Sequence, residues 1–238
     1  MTGSSYGTWP ARPRLLRSLD ASVTSPPQAA VGNSLAVPFS PQDIAFSPGG
    51  SILASATGTD QVTLWNVTDP AHASRMATIG GAGDFIQAFA FSPRGNLLAA
   101  VTYHGTVLVY SLADPARPAR TATVRGLLAR ARYTDGQSQP DETLCATCSL
   151  ASYAVAFPPD GHTLTVVVDR REGNVTSAYS NAARDTVFTW NVTSSGAVSG
   201  VTTITRNVED SQPALAPNGR TVADGSPTSN AVYLWTPP

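Results

Sequence analysis

A short strand-like phrase that ends in an aromatic residue returns along this chain and constrains its fold more than any other feature. It reads "VTLWNVTDP" from Val62, and related phrases begin at Val107, Val187 and Val232. Their aromatic positions are Trp65, Tyr110, Trp190 and Trp235. The first and last intervals between these aromatics are 45 residues, and the middle one is 80. A motif that returns at a period of this length predicts a repeat architecture.

A second phrase precedes each aromatic strand and predicts a β-hairpin. It reads "IAFSPGGSILASA" from Ile44, and its counterparts begin at Phe89, Val155 and Pro213. Two apolar runs flank a Pro-x-Gly turn in each phrase, which is a hairpin pattern. A further strand-like run follows the first three aromatics, at 74–79, 119–124 and 200–205. Each full repeat is therefore predicted to form four strands.

Insertions account for the long middle interval. One segment, 125–152, precedes the third hairpin, and another, 169–184, lies within it, while a third long segment covers 20–41. No room for a fourth strand follows Trp235, but "PARPRLLRSL" at 10–19 is similar to the context of the outer strand at 119–124. The predicted repeats are 42–79, 87–124, 153–205 and 211–238, the last completed by 10–19.

The phrases "AFSP-x-G-x-x-L-A" and "V-x-L-W-N-V" together resemble those of the WD-repeat β-propeller family, in degenerate form. The resemblance implies an all-β propeller of four-stranded antiparallel blades, with four repeats in this chain and the N-terminal strand closing the last blade. Closure by strand exchange removes open sheet edges. A small closed ring, half of an eight-bladed ring made by two chains, and a piece of a longer protein all remain open.

This sequence departs from the family pattern at its polar positions. Asn66 stands where the family has Asp after the aromatic, and "GGAGDF" replaces the segment that usually contains a Gly-His pair. His104 stands where the family has Asp in the turn before the aromatic strand. We therefore expect the family's buried Trp-Ser-His-Asp hydrogen-bond network to be lost, with stability resting on apolar packing.

The charge balance argues against polyanionic partners. Charged residues make up 13% of the chain and the net charge is -1, so neither nucleic acid nor an anionic membrane is expected as a partner. No apolar run of about 18 residues could span a bilayer, and the N-terminus lacks a signal-peptide pattern. These features predict a cytoplasmic protein. All 15 basic residues are arginine, which indicates a GC-rich bacterial source.

The long segments 20–41, 125–152 and 169–184 all join strands at the same face of the predicted propeller. Loops on a rigid scaffold commonly carry function, and Arg and Tyr dominate interface hot spots. The predicted partner-binding residues are Arg125, Arg130, Arg132, Tyr133, Tyr103 and His104. The alternative is a solvated loop in which these arginines pair with Asp141 and Glu142.

The sequence contains little that favours catalysis or metal binding. Cys145 and Cys148 form a lone C-x-x-C, so two reduced thiols, a local disulfide and a metal site shared across a dimer remain alternatives. Only Asp43 supplies a carboxylate among the aligned inner-strand positions, and no common catalytic motif occurs. We expect no catalytic, cofactor-binding or metal-binding residues.

These observations favour a non-catalytic scaffold or sensor that binds a protein or peptide with its insertion-bearing face, with a homodimer as one possible state. Two alternatives belong to other classes. One is a propeller hydrolase or lyase with a site in the central channel. The other is a structural unit that assembles an eight-bladed ring from two chains.

Overall fold

The computed structural model describes residues 18–19, 43–56, 60–81, 83–127, 151–172, 182–208, 214–216, 218, 221–226 and 231–236. Within these ranges the chain is all-β apart from isolated turns and one short 3-10 helix, Pro70–His72. The strands form four separate antiparallel sheets, which we call blades 1 to 4 in chain order. The all-β prediction is confirmed.

Each of the first three blades has four strands in simple meander order. Blade 1 contains β1 Asp43–Phe46, β2 Ile52–Ala56, β3 Val62–Asn66 and β4 Ser74–Ile79. Blade 2 contains β5 Ile86–Phe91, β6 Leu97–Thr102, β7 Val107–Ser111 and β8 Ala119–Val124. Blade 3 contains β9 Ala151–Ala156, β10 Thr163–Glu172, β11 Ala182–Val192 and β12 Val198–Val208.

Blade 4 has three strands among the described residues: β13 Ala214–Leu215, β14 Val222–Ser226 and β15 Ala231–Trp235. The first strands of the blades lie side by side in chain order, β1 beside β5, β5 beside β9 and β9 beside β13. The fourth strands therefore lie at the outside. The predicted closing strand at 10–19 lies outside the described residues except for its last two positions.

Blade 3 differs from the prediction at the 169–184 segment. Strands β10 and β11 continue into it, pairing Asp169 with Asp185 and Glu172 with Ala182. The segment predicted as an insertion is therefore strand at both ends. The sequence pattern missed this extension because "DRRE" and "AARD" are largely polar and lack the apolar run that marks the rest of these strands.

The Ser-Pro-x-Gly phrase makes the tight turn between the first two strands of blades 1 and 2. The Gly50 N–H donates to the carbonyl of Ser47 at 2.8 Å, and Gly50 has a φ of 69°, which favours glycine. The Ser47 hydroxyl accepts a hydrogen bond from the N–H of Ile52 at 3.1 Å. In blade 2 the Ser92 hydroxyl does the same for Leu97 at 3.0 Å. In both blades the serine hydroxyl therefore links the end of the first strand to the start of the second strand.

Apolar side chains fill the spaces between neighbouring blades. Val62 and Leu64 of blade 1 pack in one cluster with Phe89 and Tyr110 of blade 2. The equivalent cluster between blades 2 and 3 contains Leu97, Val101, Val107, Phe157, Val166 and Trp190. All six residues of β6 are buried because this strand is covered on both faces. Two blades therefore share each interface.

A register shift accompanies the repeated aromatic in blades 1 to 3. The pairing of the third and fourth strands shifts between Leu64 and Trp65 and between Val109 and Tyr110. Blade 3 has the same irregularity between Thr189 and Asn191, around Trp190. A bulge increases the local twist of a strand pair. The repeat in sequence is thus also a repeat in backbone geometry.

Tyr110 should make the stability of the protein sensitive to alkaline pH. Burial raises the pKa of its phenol, and Arg120 partly opposes this. The folded-state pKa is higher than the unfolded pKa of about 10, so the folded state favours the neutral phenol. This contribution to the unfolding free energy is fully present below the unfolded pKa and is lost as pH rises through the folded pKa. In urea titrations between pH 8 and pH 11, we expect the unfolding free energy of Tyr110→Phe to fall less than that of the parent. Equal losses would contradict this assignment.

Candidate partner-binding face

The strand register brings several connections to one face of the molecule, which we call the loop face. In blade 2, Ile86 pairs with Thr102 and Val107 pairs with Val124. The turn 103–106, the connection before β5 and the segment after β8 therefore lie at the same edge of this sheet. The loop face includes three predicted partner-binding residues, namely Tyr103, His104 and Arg125.

Asp84 links two of these connections. Its carboxylate accepts hydrogen bonds from the N–H of His104 at 2.7 Å and from the N–H of Phe85 at 2.9 Å. The Nδ1 atom of His104 lies 3.0 Å from Asp84 Oδ1. The Asp84 side chain is 13% exposed, whereas that of His104 is 71% exposed. Asp84 is therefore mainly a structural anchor, and His104 presents its ring to solvent.

Two contacts in blades 1 and 2 resemble parts of the family's buried Trp-Ser-His-Asp network, although the His104 ring is exposed. The resemblance implied His before the first strand and Asp in the turn before the aromatic strand, and blade 2 has Asp84 and His104 in these places. The carboxylate–imidazole contact is present with its two partners exchanged. In blade 1 the Trp65 Nε1–H donates to the Ser55 hydroxyl at 3.0 Å, so another part of the network also persists.

Tyr103 connects blade 2 to blade 3 through its backbone. Its N–H donates to the carbonyl of Phe85 at 2.8 Å, and its own carbonyl accepts from the Tyr153 hydroxyl at 2.8 Å. The Tyr103 ring meets the His104 ring edge to face, with 5.1 Å between centroids. The turn is therefore held on both sides, which keeps its two rings in a defined arrangement.

Phe85 is a further residue of this face that the sequence analysis did not single out. Its side chain is 48% exposed, which is unusual for a large apolar residue. It lies immediately before β5 and next to the Asp84 anchor. The signal in the sequence was a phenylalanine directly after a turn aspartate, outside the alternating strand pattern. We call Phe85, Tyr103 and His104 the aromatic patch.

Arg125 lies on the same face, one residue after the end of β8, and is exposed. Two residues later Leu127 is fully buried, and its N–H donates to the carbonyl of Gly105 at 3.4 Å. This contact holds the start of the segment after β8 against the turn that contains His104. The remaining predicted residues, Arg130, Arg132 and Tyr133, lie outside the described residues, as do Cys145 and Cys148.

The opposite face carries a separate acid–imidazole pair. Asp69 caps the short 3-10 helix, and the hydrogen bonds from His72 and from the Ala71 N–H hold the pKa of this carboxyl below its ordinary value. Both side chains are well exposed.

Throughout the described ranges, no three His, Cys, Asp or Glu residues are grouped in a way that could hold a metal ion. No helix in those ranges is long and apolar enough to cross a membrane.

Residues 73–111 match the model of a family described as "WD domain, G-beta repeat". The match runs from β4 of blade 1 through β7 of blade 2. This part of the chain therefore contains a WD repeat, as the resemblance predicted. Its sequence repeat therefore straddles two blades, contributing the outer strand of one and the inner three strands of the next. No curated protein matches the chain significantly.

Two solved structures share parts of this architecture. A protein from Lactobacillus plantarum is 17% identical, with a TM-score of 0.53 over 82% of this chain and 50% of that chain. The β-propeller domain of Cps50 (Swd1) from Myceliophteria thermophila is 12% identical, with a TM-score of 0.48 over 82% of this chain and 52% of that chain. The chain thus spans about half the length of each.

Removal of the Asp84 carboxylate should destabilise the fold. Asp84→Ala leaves two backbone N–H groups without their acceptor, and we expect a loss of about 1–3 kcal/mol of unfolding free energy. The matched variant His104→Ala removes only the exposed imidazole that contacts Asp84 and should cost less than about 1 kcal/mol. Urea denaturation of both variants measures the difference. An equal cost for the two would mean that the imidazole contact, rather than the backbone anchoring, stabilises the loop face.

Proposed function

We propose that the chain is a non-catalytic scaffold that binds a protein or peptide with its loop face. The observation that carries this proposal is the aromatic patch, because Phe85 and His104 are exposed while the backbone beneath them is fixed. Exposed aromatic residues on an ordered backbone can bind a partner at a low cost in conformational entropy. A bacterial, cytoplasmic setting stays a prediction from the sequence.

The charge around the patch favours an acidic peptide segment. Arg125 is exposed on the same face, and the sequence places Arg130 and Arg132 in the segment that follows. The neighbouring carboxylate of Asp84 already accepts two backbone hydrogen bonds and contacts His104. Its negative charge is therefore partly compensated, and an acidic partner would meet the exposed Arg125 guanidinium on this face.

Affinity selection with a displayed peptide library would test this proposal. The wild-type chain should enrich acidic peptides that contain apolar residues. The combined variant Phe85→Ala, His104→Ala, Arg125→Ala should weaken their binding by at least tenfold, since hot-spot residues each contribute about 1–2 kcal/mol or more. Fluorescence anisotropy with the enriched peptides measures the dissociation constants.

Val201→Ala is the matched control, because Val201 is an exposed apolar residue on the outer strand of blade 3. It should leave peptide affinity unchanged. Circular dichroism would verify that all variants remain folded. Enrichment of no peptide, or equal binding by the combined variant, would count against the loop face as the binding surface.

A further inference from the structure

Large apolar side chains are exposed at both ends of the row of blades. On blade 1, Ile44 and Phe46 of β1 are 62% and 63% exposed. On blade 4, Val232 and Leu234 of β15 are 71% and 72% exposed. We call these pairs the first end face and the last end face. Four exposed aliphatic or aromatic residues in two pairs are more than the scattered apolar residues of an ordinary surface.

The first end face repeats a surface that is packed inside the chain. Ile44 and Phe46 stand in "IAFSP" as Phe89 and Phe91 stand in "FAFSP". Phe89 is only 5% exposed, and both phenylalanines pack against blade 1. The equivalent residues of blade 1 should therefore receive a preceding blade.

The last end face repeats the opposite side of the same interface. Val232 and Leu234 stand in "VYLW" as Val62 and Leu64 stand in "VTLW". Val62 and Leu64 are 1% and 0% exposed, because they pack against the following blade. The two end faces are thus the two complementary halves of one blade–blade interface.

The strands at the two ends of the row of blades are complementary as well. Blade 4 has three strands in the described part of the chain and lacks an outer strand there. At the other end, Leu19 packs against the cluster of Trp65, Val67 and Ala73 on blade 1. Within the chain, Ala122 of outer strand β8 packs against the cluster shared by blades 2 and 3, which contains Trp190. Leu19 therefore packs on blade 1 on the side where a preceding blade would lie.

The faces do not cover one another within one chain, as the exposure of all four side chains shows. The match to the Lactobacillus plantarum protein covers 82% of this chain but 50% of that one, so four blades fill about half of a structure with the same fold. A second copy of this chain has both complementary end faces.

We propose that two copies of this chain assemble head to tail into one eight-bladed ring with two-fold symmetry. The last end face of each copy packs on the first end face of the other. The net charge of -1 per chain adds little repulsion between the copies.

Multi-angle light scattering on the 238-residue chain tests the ring directly. The expected mass is twice 24.7 kDa. The double variant Ile44→Asp, Phe46→Asp should raise the dimer dissociation constant at least 100-fold, because it places carboxylates in an apolar interface. Val232→Asp with Leu234→Asp should do the same. The control Val201→Asp changes another exposed apolar residue, which lies on the outer strand of blade 3 away from both end faces, and it should stay dimeric.

Mixing the two double variants distinguishes the head-to-tail arrangement from other dimers. In the mixture, one variant keeps an intact last end face and the other keeps an intact first end face, so one native interface can form. A one-to-one heterodimer is expected, although each variant alone is monomeric. Circular dichroism of the separate variants would show that dissociation, rather than unfolding, removes the homodimer.

Several results would overturn the ring. A monomeric parent chain at 50 μM or above would do so, whether its end faces are open or close on each other within the chain. A dimer that survives both double variants would place the contact elsewhere. An open polymer rather than a dimer would show that the end faces pair without closing at two copies.

Discussion

Apolar packing between the faces of neighbouring blades is the interaction on which the rest of this structure depends. A single four-stranded sheet with two apolar faces is not stable in water, so each blade needs a neighbour on both sides. Blade 2 shows this best, because β6 is buried along its whole length. Alternate residues of this strand serve different interfaces, with Leu98 facing blade 1 and Leu97 facing blade 3.

The same requirement explains the difference between the middle and the ends of the chain. Equivalent residues are buried where a neighbouring blade exists and exposed where it does not, as Val62 and Val232 show. The loop face differs from the end faces in this respect. Phe85 is exposed at a connection rather than on a blade face, so the addition of further blades would not by itself bury it. The two surfaces can therefore serve different partners.

The Asp84–His104 pair joins two connections that meet at the loop face. Backbone N–H groups of His104 and Phe85 complete the arrangement. A comparison that expects each residue type at its usual position in the family does not reveal this contact between Asp84 and His104.

The sequence by itself determined the repeat, the all-β class and most strand positions. The predicted outer strands at 74–79 and 119–124 coincide with β4 and β8, because the turn residues and apolar runs that define them are local signals. The extension of β10 and β11, the exposure of Phe85 and the contact of Asp84 with His104 were decided only by tertiary structure. The Asp84–His104 contact, for example, joins two connections that lie 20 residues apart in the sequence. The end faces follow the same logic, since Ile44 and Phe89 occupy the same place in their phrases and differ only in what packs against them.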